Sequence, residues 1–193
     1  MVSFPPLFPS VGWFSYYLSA LKNDLITPVY YANSNISSTK EFGRYHLIDS
    51  KGESINLSVA IQGGGKRLRS LDKIMDLELS DHGEWRKNHL GAIEACLGRK
   101  PYYRYIEEPL KEVYQNTSLV NLESFNLAIF KIVDTFLMGN LKAQDLQHFF
   151  TNPCLIERGH ELAEKFKPEI SILQYLSEYG RESILGIMAL NKN

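Results

Sequence analysis

The sequence predicts an α/β-type fold, mixed or α+β, with a small, mostly N-terminal sheet that is followed and covered by C-terminal helices. Two observations carry this prediction. Before residue 80, apolar and polar residues alternate in short segments, as is typical of strands. From residue 84 onward, apolar residues recur with the period of a helix. Strand patterns followed by helical patterns are typical of α+β and mixed proteins.

The composition predicts one globular domain over residues 1–193, strand-rich over 1–82 and helical over 83–193. Of 193 residues, 44% are hydrophobic and 22% are charged, which is enough to build a core. The formal net charge is −1, so no overall field attracts nucleic acid or a membrane surface. We therefore expect no nucleic-acid partner, and the oligomeric state stays open.

The N-terminal segment is punctuated by prolines. "FPPLFPSVG" predicts irregular structure, a short helix is expected over roughly 13–22, and "LITPVYY" at 25–31 predicts a strand. The first residues lack a basic region and are not expected to be a signal peptide. No apolar run reaches the roughly 18 residues of a membrane span, so we expect a cytoplasmic protein.

The clearest strand signal is a hairpin over roughly 44–61. "RYHLI" and "SINLSVAI" flank "DSKGE", a glycine-containing turn. The alternation in the second strand places four side chains on one face: Ile55, Leu57, Val59 and Ile61. "KIMDLEL" at 73–79 alternates again, so "GGGKRLRSLD" should connect two strands.

The later segments predict helices. "EWRKNHLGAIEACLG" places Trp85, His89, Ile93 and Cys96 on one stripe, with Gly98 as the stop. A helix is expected near 102–115, and two or three shorter ones over 143–188. The long apolar helix that ends at Gly139 has five core candidates: Leu122, Phe125, Ile129, Ile132 and Phe136.

The stretch "GGGKR" has the composition of a phosphate-binding loop but not its spacing. In G-x-x-x-x-G-K-[ST], the first glycine would fall at Ala60 and the hydroxyl residue at Arg67. A strand pattern follows, whereas a P-loop opens a helix. Two interpretations remain: a solvated basic loop, or an anion site in which glycine N–H groups act with Lys66 and Arg67.

Other chemistry-bearing residues give weaker signals. None of the five histidines pairs at metal-ligand spacing, so we predict no metal and no cofactor. His89 is either a satisfied core histidine or a general base in a cleft. Tyr102 and its neighbours Tyr103 and Tyr105, beside basic residues, either stack on a sugar or base or half-pack on the core. Cys96 should be a buried thiol.

Five stretches in order resemble the WbqC-like protein family. They are "FPPLFPSVGWF", "GRYHLI", "EWRKNHLGAIEACLGRKPYY", "LVNLESFNLAIFKIVDTFLMG" and "PEISILQYLSEYG". The polar positions that match the family's pattern are Arg44, His89 and Asn126. The departures are Ser3-Phe4 where the family has histidine-glutamine, Gln174 where it has aspartate, and a shorter segment before the closing motif.

The resemblance implies a role in bacterial O-antigen or capsule synthesis, as a transferase of aminoacyl, acyl or glycosyl groups on a nucleotide- or lipid-linked sugar. The ligand would be a phosphate-bearing or sugar small molecule. Arg44 with Lys66 and Arg67 would hold its diphosphate or carboxylate, and His89 would be the general base. The lost polar positions support an alternative, a non-catalytic relative that binds a ligand or partner, so the sequence leaves open whether the chain is an enzyme.

Overall fold

A computed structural model describes residues 6–22, 42–63, 77–139, 152–167 and 169–190. The strand expected at 25–31 and most of the glycine-basic stretch, including Lys66 and Arg67, lie outside the described residues. The described elements, in chain order, are α1 Val11–Lys22, β1 Arg44–Ile48, β2 Ser54–Ser58, α2 Trp85–Leu97, α3 Arg104–Gln115, α4 Leu122–Met138, α5 Pro153–Ala163, α6 Ile172–Tyr179 and α7 Ser183–Ala189. The mixed class, with a small antiparallel sheet followed by helices, is confirmed.

The hairpin pairs as predicted. Its register runs from Arg44 opposite Ser58 to Ile48 opposite Ser54. The carboxylate of Asp49 accepts hydrogen bonds from two backbone N–H groups of the turn, and Gly52 adopts a φ of 84° there. That left-handed conformation is the reason for a glycine at this position.

The segment expected as a third strand, 73–79, is described only from Leu77. Those residues form isolated bridges, Leu79 with Ile61 and Glu78 with Asn121. The amide of Gln62 donates to the carbonyl of Glu78 at 3.0 Å. The two ends of the glycine-basic connection therefore lie side by side and run antiparallel.

The helical stripe of α2 is confirmed, because Trp85, His89, Ile93 and Cys96 are all buried and α2 ends before Gly98. Neither cysteine forms a disulfide; Cys96 is buried and Cys154 is exposed. No helix among the described residues is long and apolar enough to cross a membrane.

The core prediction for α4 is confirmed in its first half and only partly in its second. Leu122, Phe125 and Ile129 are buried, whereas Ile132 and Phe136 are half-buried and pack against the edge of the core. The buried residues of the second half are Phe130, Val133 and Leu137. They turn toward α1 and the last helices, whereas the first half of α4 faces the hairpin, so one continuous stripe does not describe this helix.

Two hydrophobic clusters result. The hairpin cluster comprises the apolar faces of the hairpin, α2, α3 and the first half of α4. The C-terminal cluster comprises α1, the second half of α4 and the helices α5, α6 and α7. Helix α4 is the wall that both clusters share.

Candidate functional site

The candidate site is a cleft at the start of β1, around the exposed side chain of Arg44. Its volume is about 130 Å³, and it is lined by Pro6, Leu7, Phe8, Ser10, Arg44, Tyr45, His46, Glu169 and Ser171. Typical small-molecule pockets measure roughly 300–1,000 Å³, so this cleft suits a head group and not a whole nucleotide.

Backbone hydrogen bonds bring together two segments that are distant in sequence. Ser10 bridges Ser171, the amide of Val11 donates to the carbonyl of Ile170, and the amide of Ile172 donates to Pro9, both at 2.9 Å. The proline-rich start and the residues before α6 thus form one wall of the cleft, and β1 forms the other.

Phe8 holds a backbone conformation that is unusual for a bulky residue. Its φ is +45°, while its ring is buried and lies 4.5 Å from that of Tyr45. Such a conformation costs roughly 1–3 kcal/mol and persists only where the surroundings impose it, most often at functional sites. The turn that carries Phe8 is therefore fixed beside the cleft.

The cleft combines a cation, a carboxylate and an imidazole. Arg44 can hold a phosphate or carboxylate with two parallel hydrogen bonds. Glu169 can accept hydrogen bonds from hydroxyl or ammonium groups. Nδ1 of His46 is bonded to Oδ1 of Asn56, which leaves Nε2 as the basic nitrogen of the neutral ring.

His89 lies behind the hairpin, in the hairpin cluster, with 3% of its surface exposed. Nε2 donates to the carbonyl of Ser58 at 3.0 Å, and Nδ1 lies 3.2 Å from the hydroxyl of Tyr114. Burial lowers its pKa to about 4, although the bond to Ser58 opposes that shift. A catalytic role for His89 stays a prediction, but this geometry favours a structural role because both nitrogens are bonded inside the protein.

The hydrogen bonds of His89 continue to the cleft wall. The hydroxyls of Tyr114 and Tyr45 lie 3.3 Å apart. Since Nε2 of the neutral His89 is the donor, Nδ1 must accept from Tyr114, which in turn accepts from Tyr45. Burial raises the pKa of Tyr45 well above its usual value, so this chain of three side chains is neutral.

Asn126 and Gln174 also bind the hairpin. Nδ2 of Asn126, on α4, donates to the carbonyl of Phe42 at 2.8 Å. Oε1 of Gln174, on α6, accepts from the amide of Ile48 at 3.2 Å. Together with the hydrogen bond from His89 to the carbonyl of Ser58, side chains of three helices hold the hairpin at three points. Arg44 lies between two of these points, Phe42 and Ile48.

The structure therefore joins the three matched polar positions in one arrangement, although they do not share a cleft. Arg44 lies on the surface, while His89 and Asn126 hold the backbone on either side of it. Tyr102 does not line the cleft; it is 39% exposed and packs against Gly180. Roles for Lys66 and Arg67 stay predictions.

Sequence reasoning missed His46, Glu169 and the serine pair Ser10 and Ser171. A signal that could have found Ser10 and Ser171 is that the sequence interpretation assigns the stretches around them to motifs of one family. Two such motifs at opposite ends of a chain are expected to lie close together if both serve one site, and Ser10 and Ser171 are bridged in the structure. Within the described residues, no group of three or more His, Cys, Asp or Glu side chains is arranged to hold a metal ion.

Comparison with known proteins gives one match. A family model described as the WbqC-like protein family matches residues 5–152, which is more than half of the chain. No curated protein and no solved structure matches the chain.

Proposed function

We propose that this chain, which belongs to the WbqC-like protein family, binds the anionic head group of a nucleotide- or lipid-linked sugar in bacterial surface-polysaccharide synthesis. The observation that carries the proposal is the cleft that Arg44 and Glu169 both line. A guanidinium that binds phosphate and a carboxylate that binds sugar hydroxyls or an amino group together suit a sugar phosphate.

The held hairpin supports this proposal. A binding residue is effective when the backbone that carries it is fixed before the ligand arrives. Asn126 fixes the backbone two residues before Arg44, and His89 fixes the carbonyl of Ser58, which pairs with Arg44. His89 and Asn126 are thus positioning residues in this proposal, and Arg44 is the residue that touches the ligand.

The test is calorimetric titration of the chain with UDP-N-acetylglucosamine, glucose 1-phosphate and inorganic phosphate. A charge-assisted hydrogen bond contributes roughly 1.5–3 kcal/mol, so Arg44→Gln should weaken sugar-phosphate binding by about tenfold or more. The matched control is Arg99→Gln, since Arg99 is exposed and does not line the cleft. The proposal is contradicted if the Arg44→Gln variant binds the sugar phosphates as tightly as the unaltered chain does. It is also contradicted if the unaltered chain binds none of the three probes.

A transferase is the second candidate, and the presence of His46 in the cleft favours it. In such a reaction Arg44 would stabilise the leaving phosphate, while Nε2 of His46 or the carboxylate of Glu169 would take the proton of the attacking hydroxyl or amine. The measurement is release of UDP from a UDP-sugar with mixed amine and hydroxyl acceptors. Loss of release in His46→Gln with binding retained supports catalysis; binding without release in the unaltered chain supports the non-catalytic relative.

A further inference from the structure

A second cavity lies between α3 and α4. This groove has a volume of about 500 Å³, within the range of small-molecule sites. Among the residues that the structure describes, none lines both this groove and the Arg44 cleft. Helices α3 and α4 are joined by residues 116–121 and pack along each other, so the groove follows the seam between them.

The walls of the groove are apolar side chains that remain half-buried. Pro109 and Val113 come from α3, and Ala128, Ile132 and Phe136 come from α4. Ile132 and Phe136 are the two residues that the helical period predicts as core. These half-buried side chains leave a concave apolar surface along the seam.

Two cations line the groove. Arg181 lies at the end near Phe136, and Lys131 lies farther along α4, between Ala128 and Phe136; both are exposed. The guanidinium of Arg181 is held in place, because Nε donates to the carbonyl of Phe136 at 3.1 Å and the side chain lies against Gly139. Gly139 suits this approach, since a Cβ atom there would lie 2.7 Å from a guanidinium nitrogen.

The opposite charge is at the other end. Tyr105, at the start of α3, lies at the same end of the seam as Phe136, because the short connection makes α3 and α4 antiparallel. Glu112, near the end of α3, is then at the Ala128 end of the groove, about two turns of α4 away from Phe136 and Arg181. An anionic group is attracted to the Arg181 end and repelled from the Glu112 end.

We propose that this groove binds an amphipathic anion, with its acidic head between Lys131 and Arg181 and a single apolar chain along Val113 and Ile132. The cation at the Arg181 end and the carboxylate at the Glu112 end favour an anionic head group and determine the direction in which the ligand lies in the groove. The apolar walls select the chain, since removing apolar surface from water is favourable in proportion to the area buried. Tyr105 adds an aromatic face beside the head group.

The experiment titrates the full chain with decyl phosphate below its micelle concentration, and with decanoate, 1-decanol and inorganic phosphate. Decyl phosphate, decanoate or both should bind saturably, while 1-decanol and inorganic phosphate should each bind at least tenfold more weakly. The two anions distinguish a phosphate head group from a carboxylate. Lys131→Gln should weaken binding about three- to tenfold, and Lys87→Gln, a substitution on the exposed face of α2, should leave it unchanged.

Ala128→Phe should fill the groove and reduce binding at least tenfold. Thermal unfolding checks that this variant folds; if it does not, Lys131→Gln and Arg181→Gln, both at exposed positions, still test the site. Arg44→Gln should not alter decyl phosphate binding, so this inference and the proposed function fail independently. The inference is overturned if neither anion binds saturably, if 1-decanol binds as tightly as the anions, or if the Lys131→Gln and Arg181→Gln variants bind like the unaltered chain.

Discussion

In the hairpin cluster, helix side chains donate to or accept from the backbone of the strands, whereas in the C-terminal cluster helices approach each other at glycines. The hairpin is held through His89, Asn126 and Gln174, which reach Ser58, Phe42 and Ile48. In the C-terminal cluster, α5 and α7 pack closely through Gly159 and Gly186.

The difference follows from what each region must hold. A two-stranded hairpin is marginally stable by itself and needs partners that fix its position. Helices satisfy their own backbone groups, so their packing depends on shape. The hairpin cluster should therefore be sensitive to lost hydrogen bonds and to pH, and the C-terminal cluster to added volume.

The largest effect is expected for Gly186→Leu. A Cβ atom at this position would lie 2.6 Å from a ring carbon of Phe166 and 2.9 Å from Cβ of Leu162, and leucine adds three further carbons. We expect a loss of roughly 4 kcal/mol in the free energy of unfolding, measured by urea denaturation, because a dense core resists added volume.

Gly91→Ala is the matched control for this substitution. Gly91 is an exposed residue inside α2, and a Cβ atom there would have nothing within 4 Å. Alanine is favoured over glycine in a helix interior, so this variant should be more stable by roughly 0.5–1 kcal/mol. Equal, small effects of Gly186→Leu and Gly91→Ala would mean that the C-terminal cluster is not closely packed.

The second effect is a pH dependence that arises in the hairpin cluster. The pKa of His89 is about 4 in the folded protein and about 6.5 when unfolded. Between these values the unfolded state binds more protons, so the stabilising contribution is complete above pH 6.5 and is lost as pH falls through 4. We expect the titration of His89 to lower the free energy of unfolding by about 3 kcal/mol as the pH falls over that range.

Urea denaturation at pH 7 and pH 5 measures this contribution in the unaltered chain and in two variants. In His89→Phe, the decrease in the free energy of unfolding from pH 7 to pH 5 should be smaller than in the unaltered chain by about 2 kcal/mol. His82→Phe, at an exposed position before α2, should keep the dependence of the unaltered chain. The same pH dependence in all three proteins would show that His89 is not held neutral by burial.

Local pattern predicted much of the fold and little of the site. The hairpin and the stripe of α2 follow from period and turn residues close in sequence, and both were predicted correctly. Ile132 and Phe136, which are expected in the core, are only half-buried, because a periodic pattern cannot show that the neighbours of a helix change along its length. Glu169 was missed, since its place in the cleft that Arg44 lines depends on the bridge between Ser10 and Ser171, which are far apart in sequence.

The smallest of these effects is expected for Asn126→Leu, and it tests whether the hairpin depends on side-chain hydrogen bonds. Leucine has the same number and branching of side-chain heavy atoms as asparagine, but it cannot donate to the carbonyl of Phe42, which would remain buried without that bond. We expect the free energy of unfolding to fall by roughly 2 kcal/mol. The displaced hairpin end should also weaken sugar-phosphate binding at Arg44 about threefold or more.

Asn88→Leu is the control for Asn126→Leu, because Asn88 is exposed on α2 and its side chain makes a long hydrogen bond of 3.4 Å to the carbonyl of Gly83. It should change stability by less than about 0.5 kcal/mol and leave binding intact. If Asn126→Leu lowers stability but not affinity, the bond holds the fold without positioning Arg44. If it lowers neither, the position of the hairpin does not depend on the hydrogen bond from Asn126.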